Sequence, residues 1–241
     1  MDRMFARQET MLGDAATAAL RDAQVAVLGL GGVGGACAEA LVRCGVGHLI
    51  LLDNDTFSES NLNRQLFATR ETIGKSKVAC AQKRLLSINP DAEIVGVEGF
   101  YLPENSNILF DHNPQYIADA IDTVTAKLDV IEKAQAAGIF CISCLGTGNR
   151  LNPLDFRVGD IYDTGGCGCA LARILRGKLR RMEIASHPVV YSVETPRTAQ
   201  VAADSPSGRH APGSISFVPP VAGYILASEI SKRILQDRGL L

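Results

Sequence analysis

Apolar positions along this chain switch between two periods. Val25-Ala-Val-Leu28 and His48-Leu-Ile-Leu-Leu52 are short apolar runs that read as strands, and Glu93–Val97, Tyr116–Asp119 and Ile139–Cys144 add three more. Between them the period lengthens. Ala36–Cys44 reads as a helix, as do residues 75–88, where Val78, Leu85 and Ile88 share a face and Pro90 follows the end. Thr123–Ala137 is a helix with Gly138 as its cap, and Pro103 opens a short helix running to Phe110. Ahead of the first strand, residues 8–21 carry a weaker helical stripe of Met11, Ala15, Ala18 and Ala19, interrupted by Gly13. Strands alternating with helices predict an α/β fold, a Rossmann-like, doubly wound, mainly parallel sheet.

Beyond Cys144 the pattern loosens. Gly146–Gly168 is a long connection rich in Gly, Asn, Asp and Pro, of the kind that is functional or mobile. A basic helix over 169–181, a strand Pro188–Val193, a flexible loop Thr195–Pro212, an extended stretch Gly213–Pro219 and a closing helix Val221–Gln236 follow. The length of 241 residues fits one domain, 1–241, with a nucleotide-binding core over 1–144 and an elaborated C-terminal half over 145–241.

Charge and composition narrow the partners. A net charge of −2 favours no polyanion globally, so a nucleic acid would have to meet a local patch. Seven cysteines, odd in number and scattered through helix and strand patterns, suit a reducing cytoplasm rather than a disulfide framework. Met1–Arg7 has no apolar signal core, so no secretion is expected. Ile215–Ile230 is broken by Pro219-Pro220 and carries Ser216, Ser228 and Glu229, so no membrane span is expected either.

The candidate chemistry gathers around the first strand. It runs into Gly29, Gly31 and Gly34 at G-x-G-x-x-G spacing and then into a helix. That arrangement lets backbone approach a phosphate at a helix N-terminus. The second strand closes on Asp53, placed for a ribose hydroxyl. The glycines do not say which nucleotide binds. Asp119 and Asp122 flank the end of the fourth strand, the edge where open sheets bind ligands, and Asp122 can hold Mg2+. Arg64 in the loop after Asp53 and Lys77 early on the next helix would neutralise a triphosphate and help pyrophosphate leave. Singly, such a charge is more often a solvated surface group; the argument rests on their joint placement.

Gly29-x-Gly31-Gly32-x-Gly34, Asp53-x-Asp55, Asn61-Leu-Asn-Arg64-Gln65, Gly74-Lys-Ser-Lys77 and Asp119-Ala-Ile-Asp122 together resemble the ATP-binding signature of the ubiquitin-activating-enzyme superfamily. The resemblance covers residues 5–144 in order. It implies that Asp53 binds ribose and that Asn61, Arg64 and Lys77 hold the phosphates of ATP. Gly29, Gly31, Gly32, Gly34 and Asp55 would belong to the same site, and Asp122 would hold Mg2+. Arg7 resembles the arginine that superfamily members place in a partner subunit's ATP site, which implies a homodimer. In the second half, Gly146-Thr-Gly-Asn-Arg-Leu-Asn-Pro153, Asp160-Ile-Tyr162, Cys169-x-x-Ala-Arg173 and Gly213-Ser-Ile-Ser-Phe-Val-Pro219 resemble the branch that cyclises threonylcarbamoyladenosine in tRNA. That resemblance implies activation of the side-chain carboxylate as an acyl-adenylate, then attack by the carbamoyl nitrogen. The alternative is an adenylyltransferase that charges the C-terminal glycine of a small sulfur-carrier protein. A nicotinamide-dependent dehydrogenase is a further rival with no obvious hydride-transfer site.

The remaining candidates are weaker. Arg173, Arg176 and Arg180 are spaced to share one helix face, either as a tRNA phosphate patch or as a solvated surface. Cys141-x-x-Cys144 sits on a predicted strand, where i and i+3 face opposite sides, and Cys167-x-Cys169 lacks the paired spacing, so zinc is not expected. Cys167 and Cys169 lie where some superfamily members carry an acyl-accepting thiol, a role that cyclisation does not need. His48, His112, His187 and His210 show no ligand-like spacing and read as structural or exposed.

Overall fold

The apolar runs form strands β1 (Gln24–Leu28), β2 (His48–Asp53), β3 (Glu93–Glu98), β4 (Tyr116–Asp119) and β5 (Phe140–Cys144). Two more, β6 (Phe156–Asp160) and β7 (Pro188–Ser192), complete a seven-stranded sheet of order β3-β2-β1-β4-β5-β7-β6. This computed structural model describes residues 4–198 and 212–241. All neighbouring strands run parallel except β6, which pairs antiparallel with β7. The helices are α1 (Ala6–Leu12), α2 (Asp14–Arg21), α3 (Gly34–Arg43), α4 (Lys77–Ile88), α5 (Asn107–Phe110), α6 (Val124–Ala136), α7 (Ala170–Arg181) and α8 (Val218–Asp237).

Both faces of β1 and β2 are covered, which is why Val25–Leu28 and Leu49–Leu52 are continuously apolar rather than alternating. Val25 and Val27 face a core shared with α2, α3, α4 and α8, while Ala26 and Leu28 face a second core with α6 and Leu109 of α5. A third core packs α6 against α7 around Leu128, Ile131, Leu175 and Leu179. Strands from both halves of the chain share the one sheet, with Ser143 and Cys144 of β5 in register with Val189 and Val190 of β7.

Three expectations change. The helical stretch 8–21 is two helices, broken where Gly13 takes φ +83°. The loop Gly146–Gly168 contains β6, an edge strand whose exposed Arg157 and Val158 give no alternating signal. The extended stretch Gly213–Pro219 gives way to α8 from Val218, because prolines at 219 and 220 are tolerated in a helix's first turn. Most of the stretch expected to be a loop, Thr195–Pro212 with His210, lies outside the described residues. No helix among the described residues is long and apolar enough to cross a membrane.

Candidate active site

β1 and β4 are neighbours, and the chain leaves them in opposite directions along the sheet. Their carboxyl ends therefore mark a topological switch point, where open α/β sheets form a crevice. A cleft of about 530 Å³ lies there. Gly29, Gly31 and Gly32 after β1, Asp53 closing β2, Asp55, Asn61, Arg64, Lys77 and Asp122 after β4 all line it.

The glycine turn needs its glycines for different reasons. Gly29 has φ +81°, and a Cβ there would stand 3.0 Å from the carbonyl oxygen of Ala120. Gly32 lies under the start of α8, where a Cβ would meet Pro219 Cβ at 2.9 Å. Gly34 does not face the cleft. A Cβ at that position would stand 1.7 Å from the Gly29 carbonyl oxygen, so Gly34 is there to let α3 begin tightly behind the turn. Gly34 thus supports the turn from behind rather than from within the cleft.

The charged residues form a linked set. Asp53 Oδ2 accepts the Leu30 N–H at 2.6 Å and Oδ1 accepts the Asp55 N–H at 2.8 Å, so the buried carboxylate ties β2 to the glycine turn. Lys77 opens α4 behind the N-cap Ser76. Its ammonium lies 2.8 Å from Asp55 Oδ2 and 3.8 Å from Asp53 Oδ1, with only 7% of the side chain exposed. A cation at a helix N-terminus opposes the macrodipole, and the two carboxylates offset that cost. Arg64 Nη1 donates to the Ser60 carbonyl at 2.8 Å and to Asn63 Oδ1 at 3.0 Å, and burial pulls its pKa below the ordinary value. Asn61 Oδ1 accepts the Ser58 N–H at 3.0 Å and fixes the loop from which Arg64 projects. Asp122 is exposed at the cleft, and no side chain among the described residues pairs with it.

Other candidates lie elsewhere. Arg7 is exposed on α1 and does not line its own chain's cleft. Arg173 and Arg180 are exposed on α7, and Arg180 stacks over the Tyr162 ring at 5.4 Å. Arg176 departs from the expected face: its Nη1 turns inward and donates to Thr164 O at 2.8 Å and Thr164 Oγ1 at 2.7 Å. Cys141 and Cys144 sit in cores on opposite faces of the sheet. Cys167 is buried, and Cys169 Sγ caps α7 by accepting the Ala172 N–H at 3.5 Å. The cleft lining also includes Gln65, Phe100, Thr147 and Ser214, to which the sequence assigns no individual role. Gln65, Thr147 and Ser214 each lie in a run that carries the family resemblance, while Phe100 carries no sequence signal.

The sequence signature of the ThiF family matches residues 5–240. The chain belongs to the ThiF family. It is 35% identical to the Bacillus subtilis protein named tRNA threonylcarbamoyladenosine dehydratase, in a match covering 98% of this chain and 96% of that one. The Escherichia coli protein of the same name is 32% identical over 66% of this chain and 60% of its own. The crystal structure of that E. coli enzyme, TcdA, in complex with AMP superposes with a TM-score of 0.89 at 27% identity, covering 99% of this chain and 96% of that one. TcdA in complex with ATP gives a TM-score of 0.88.

This ThiF-family chain holds a second polar layer beneath the cleft. Lys127 and Asp119 are fully buried, with Nζ 2.6 Å from Oδ2. Ser143 Oγ donates to the same oxygen at 2.5 Å and lies 2.8 Å from His187 Nε2, so the neutral ring donates Nε2–H to Ser143. Asp119 Oδ1 accepts the Ile121 N–H at 3.2 Å, which fixes the turn carrying Asp122. Burial, and then the Lys127 ammonium, pull the His187 pKa from 6.5 to about 3. As pH falls below 6.5 the unfolded chain takes up a proton that the folded chain refuses until about 3. The contribution of His187 to stability is therefore complete above 6.5 and lost between 6.5 and 3. His187→Gln is expected to flatten the acid limb of a urea-unfolding series across that window; an unaltered limb refutes the assignment.

Proposed function

We propose that this chain catalyses the ATP-dependent dehydration of threonylcarbamoyladenosine in tRNA to its cyclic hydantoin form, through a carboxyl-adenylate. The observation that carries this reading is the convergence of the glycine turn, Arg64, Lys77 and Asp122 on one cleft, in a chain matched over 96% of the length of a tRNA threonylcarbamoyladenosine dehydratase. A side-chain carboxylate oxygen attacks the α-phosphorus of ATP and pyrophosphate leaves. The carbamoyl nitrogen then attacks the acyl carbon, loses its proton and displaces AMP. The oxygen lost as water departs on AMP. The activation step replaces a poor leaving group with a good one, and the cyclisation is intramolecular, so proximity supplies much of its rate.

Each residue's part follows from its position. Arg64 and Lys77 offset the charge of the leaving pyrophosphate, the glycine turn admits the phosphates, and Asn61 orients them. Asp53 accepts a ribose hydroxyl with the lone pairs that its two backbone bonds leave free. Asp122, exposed at the cleft and without a partner among the described residues, fits Mg2+, a hard cation that would supply further neutralisation of phosphate charge. Arg7 reaches the cleft of a second copy in a homodimer. The chain acts as one unit over 1–241, and its seven unpaired cysteines support a cytoplasmic setting.

The deciding experiment incubates purified protein with ATP, Mg2+ and tRNA bearing threonylcarbamoyladenosine and weighs the nucleoside. Loss of one water with formation of AMP is the expected result. An intact nucleoside, together with adenylation of a sulfur-carrier C-terminus, would select the other adenylating chemistry. In the same assay Arg173→Ala with Arg180→Ala is expected to weaken tRNA binding and lower its salt slope by about two, as loss of two phosphate contacts requires. Arg176→Ala is expected instead to lower the melting temperature, because its guanidinium holds Thr164.

A further inference from the structure

The cleft lining up to Ala126 belongs to the nucleotide half of the chain. Among the described residues the second half reaches the cleft only through Thr147, Gly148, Pro212, Ser214 and Pro219. With the glycine turn, Asp53, Arg64, Lys77 and Asp122 assigned above to the nucleotide, the second set is the part of the lining free for an acyl substrate.

That wall is two backbones held together by one side chain. The Asn149 N–H donates to the Gly213 carbonyl at 2.7 Å, and the Gly213 N–H donates back to Asn149 Oδ1 at 2.7 Å. The Asn149 carbonyl accepts the Arg197 N–H at 2.8 Å. Asn149 holds φ 58°, a left-handed conformation that asparagine tolerates better than most residues. The approach is close: a Cβ on Gly148 would stand 2.6 Å from Pro212 Cβ. On its other side the same segment meets the phosphate loop, where Asn63 Nδ2 donates to the Ser214 carbonyl at 3.0 Å while Asn63 Oδ1 accepts from Arg64 Nη1 at 3.0 Å.

We propose that Asn149 and Asn63 are positioning residues, which hold residues 212–214 as the acyl-substrate wall of the cleft and keep that wall in register with Arg64. The proposal rests on the tRNA-cyclising reading above. Neither residue touches a reacting atom; both act by fixing where the threonylcarbamoyl carboxylate meets the α-phosphorus.

The test compares Asn149→Gly, Asn149→Asp and Asn63→Ala with the wild-type chain, measuring kcat and KM for the modified tRNA, the Kd for ATP and the melting temperature. Glycine keeps the left-handed backbone without strain and removes only the amide. It is expected to raise the KM for tRNA about tenfold, the loss of one net hydrogen bond, with ATP affinity unchanged. Aspartate keeps an acceptor for the Gly213 N–H and is expected to restore the wild-type KM. Asn63→Ala releases Arg64 as well, and is expected to raise both the KM for tRNA and the Kd for ATP. The proposal is overturned by a wild-type KM in Asn149→Gly, or by losses that follow the melting temperature alone with aspartate no better than glycine. A wild-type chain that forms no cyclic nucleoside would instead overturn the functional reading on which the proposal stands.

Discussion

Lys77→Ala is expected to cut ATP-dependent turnover about a hundredfold or more, the loss typical of removing one preorganised charge at a developing anion. The expectation follows from what surrounds the ammonium. It is nearly buried between the carboxylates of Asp55 and Asp53, at 2.8 and 3.8 Å. Without it the triphosphate would face two uncompensated negative charges at the start of α4, so the variant loses an attraction and gains a repulsion. Arg64→Ala is expected to act in the same direction, since its guanidinium is part-desolvated and held by Ser60 and Asn63 at the cleft. Pyrophosphate release measured at saturating tRNA reads the effect. Turnover retained in either purified variant would break the phosphate-clamp assignment.

The largest effect on stability is expected from Lys127→Met. The side chains of Lys127 and Asp119 are both 0% exposed, so removing the cation strands a carboxylate in the core, with only Ser143 and the Ile121 N–H to satisfy it. Breaking a buried pair from one side costs about 3–5 kcal/mol. Denaturant titration measures it, and a loss below about 1 kcal/mol, the scale of an exposed pair, would contradict the pairing. A Lys127→Met, Asp119→Leu double variant is expected to be more stable than Lys127→Met alone, because the stranded charge is then gone.

The nucleotide half was legible because its signals are local. Val25–Leu28, the glycines, the helix after them and Asp53 all fall within one short stretch, and each says the same thing about the same turn. Lys77 and Asp122 were legible for a related reason: each sits next to an element boundary that apolar periodicity marks. What stayed hidden depends on partners far away in the chain. His187 reads from sequence only as structural or exposed, yet it closes a buried chain of bonds through Ser143, 44 residues earlier. Asn149 sits in a turn-forming stretch that predicts nothing about Gly213, 64 residues later. Arg176 fits a basic stripe by spacing, while its actual partner, Thr164, ends a short 3-10 helix, Ile161–Thr164, within a stretch that carries no periodic signal. Likewise β6 is an edge strand, and strands that bury one residue in five carry no pattern to read.

Helix α8, far along the chain, braces a turn near its start. Gly223 of α8 lies against α3, where a Cβ would come within 2.2 Å of the Val33 carbonyl oxygen, and Pro219 abuts Gly32. A nascent chain still short of Val218 would hold the turn through Asp53 and α3 alone, with Gly32 uncovered. On the ribosome, then, the amino-terminal βαβ unit can condense early, while its glycine turn gains the brace of α8 only after that helix has been made.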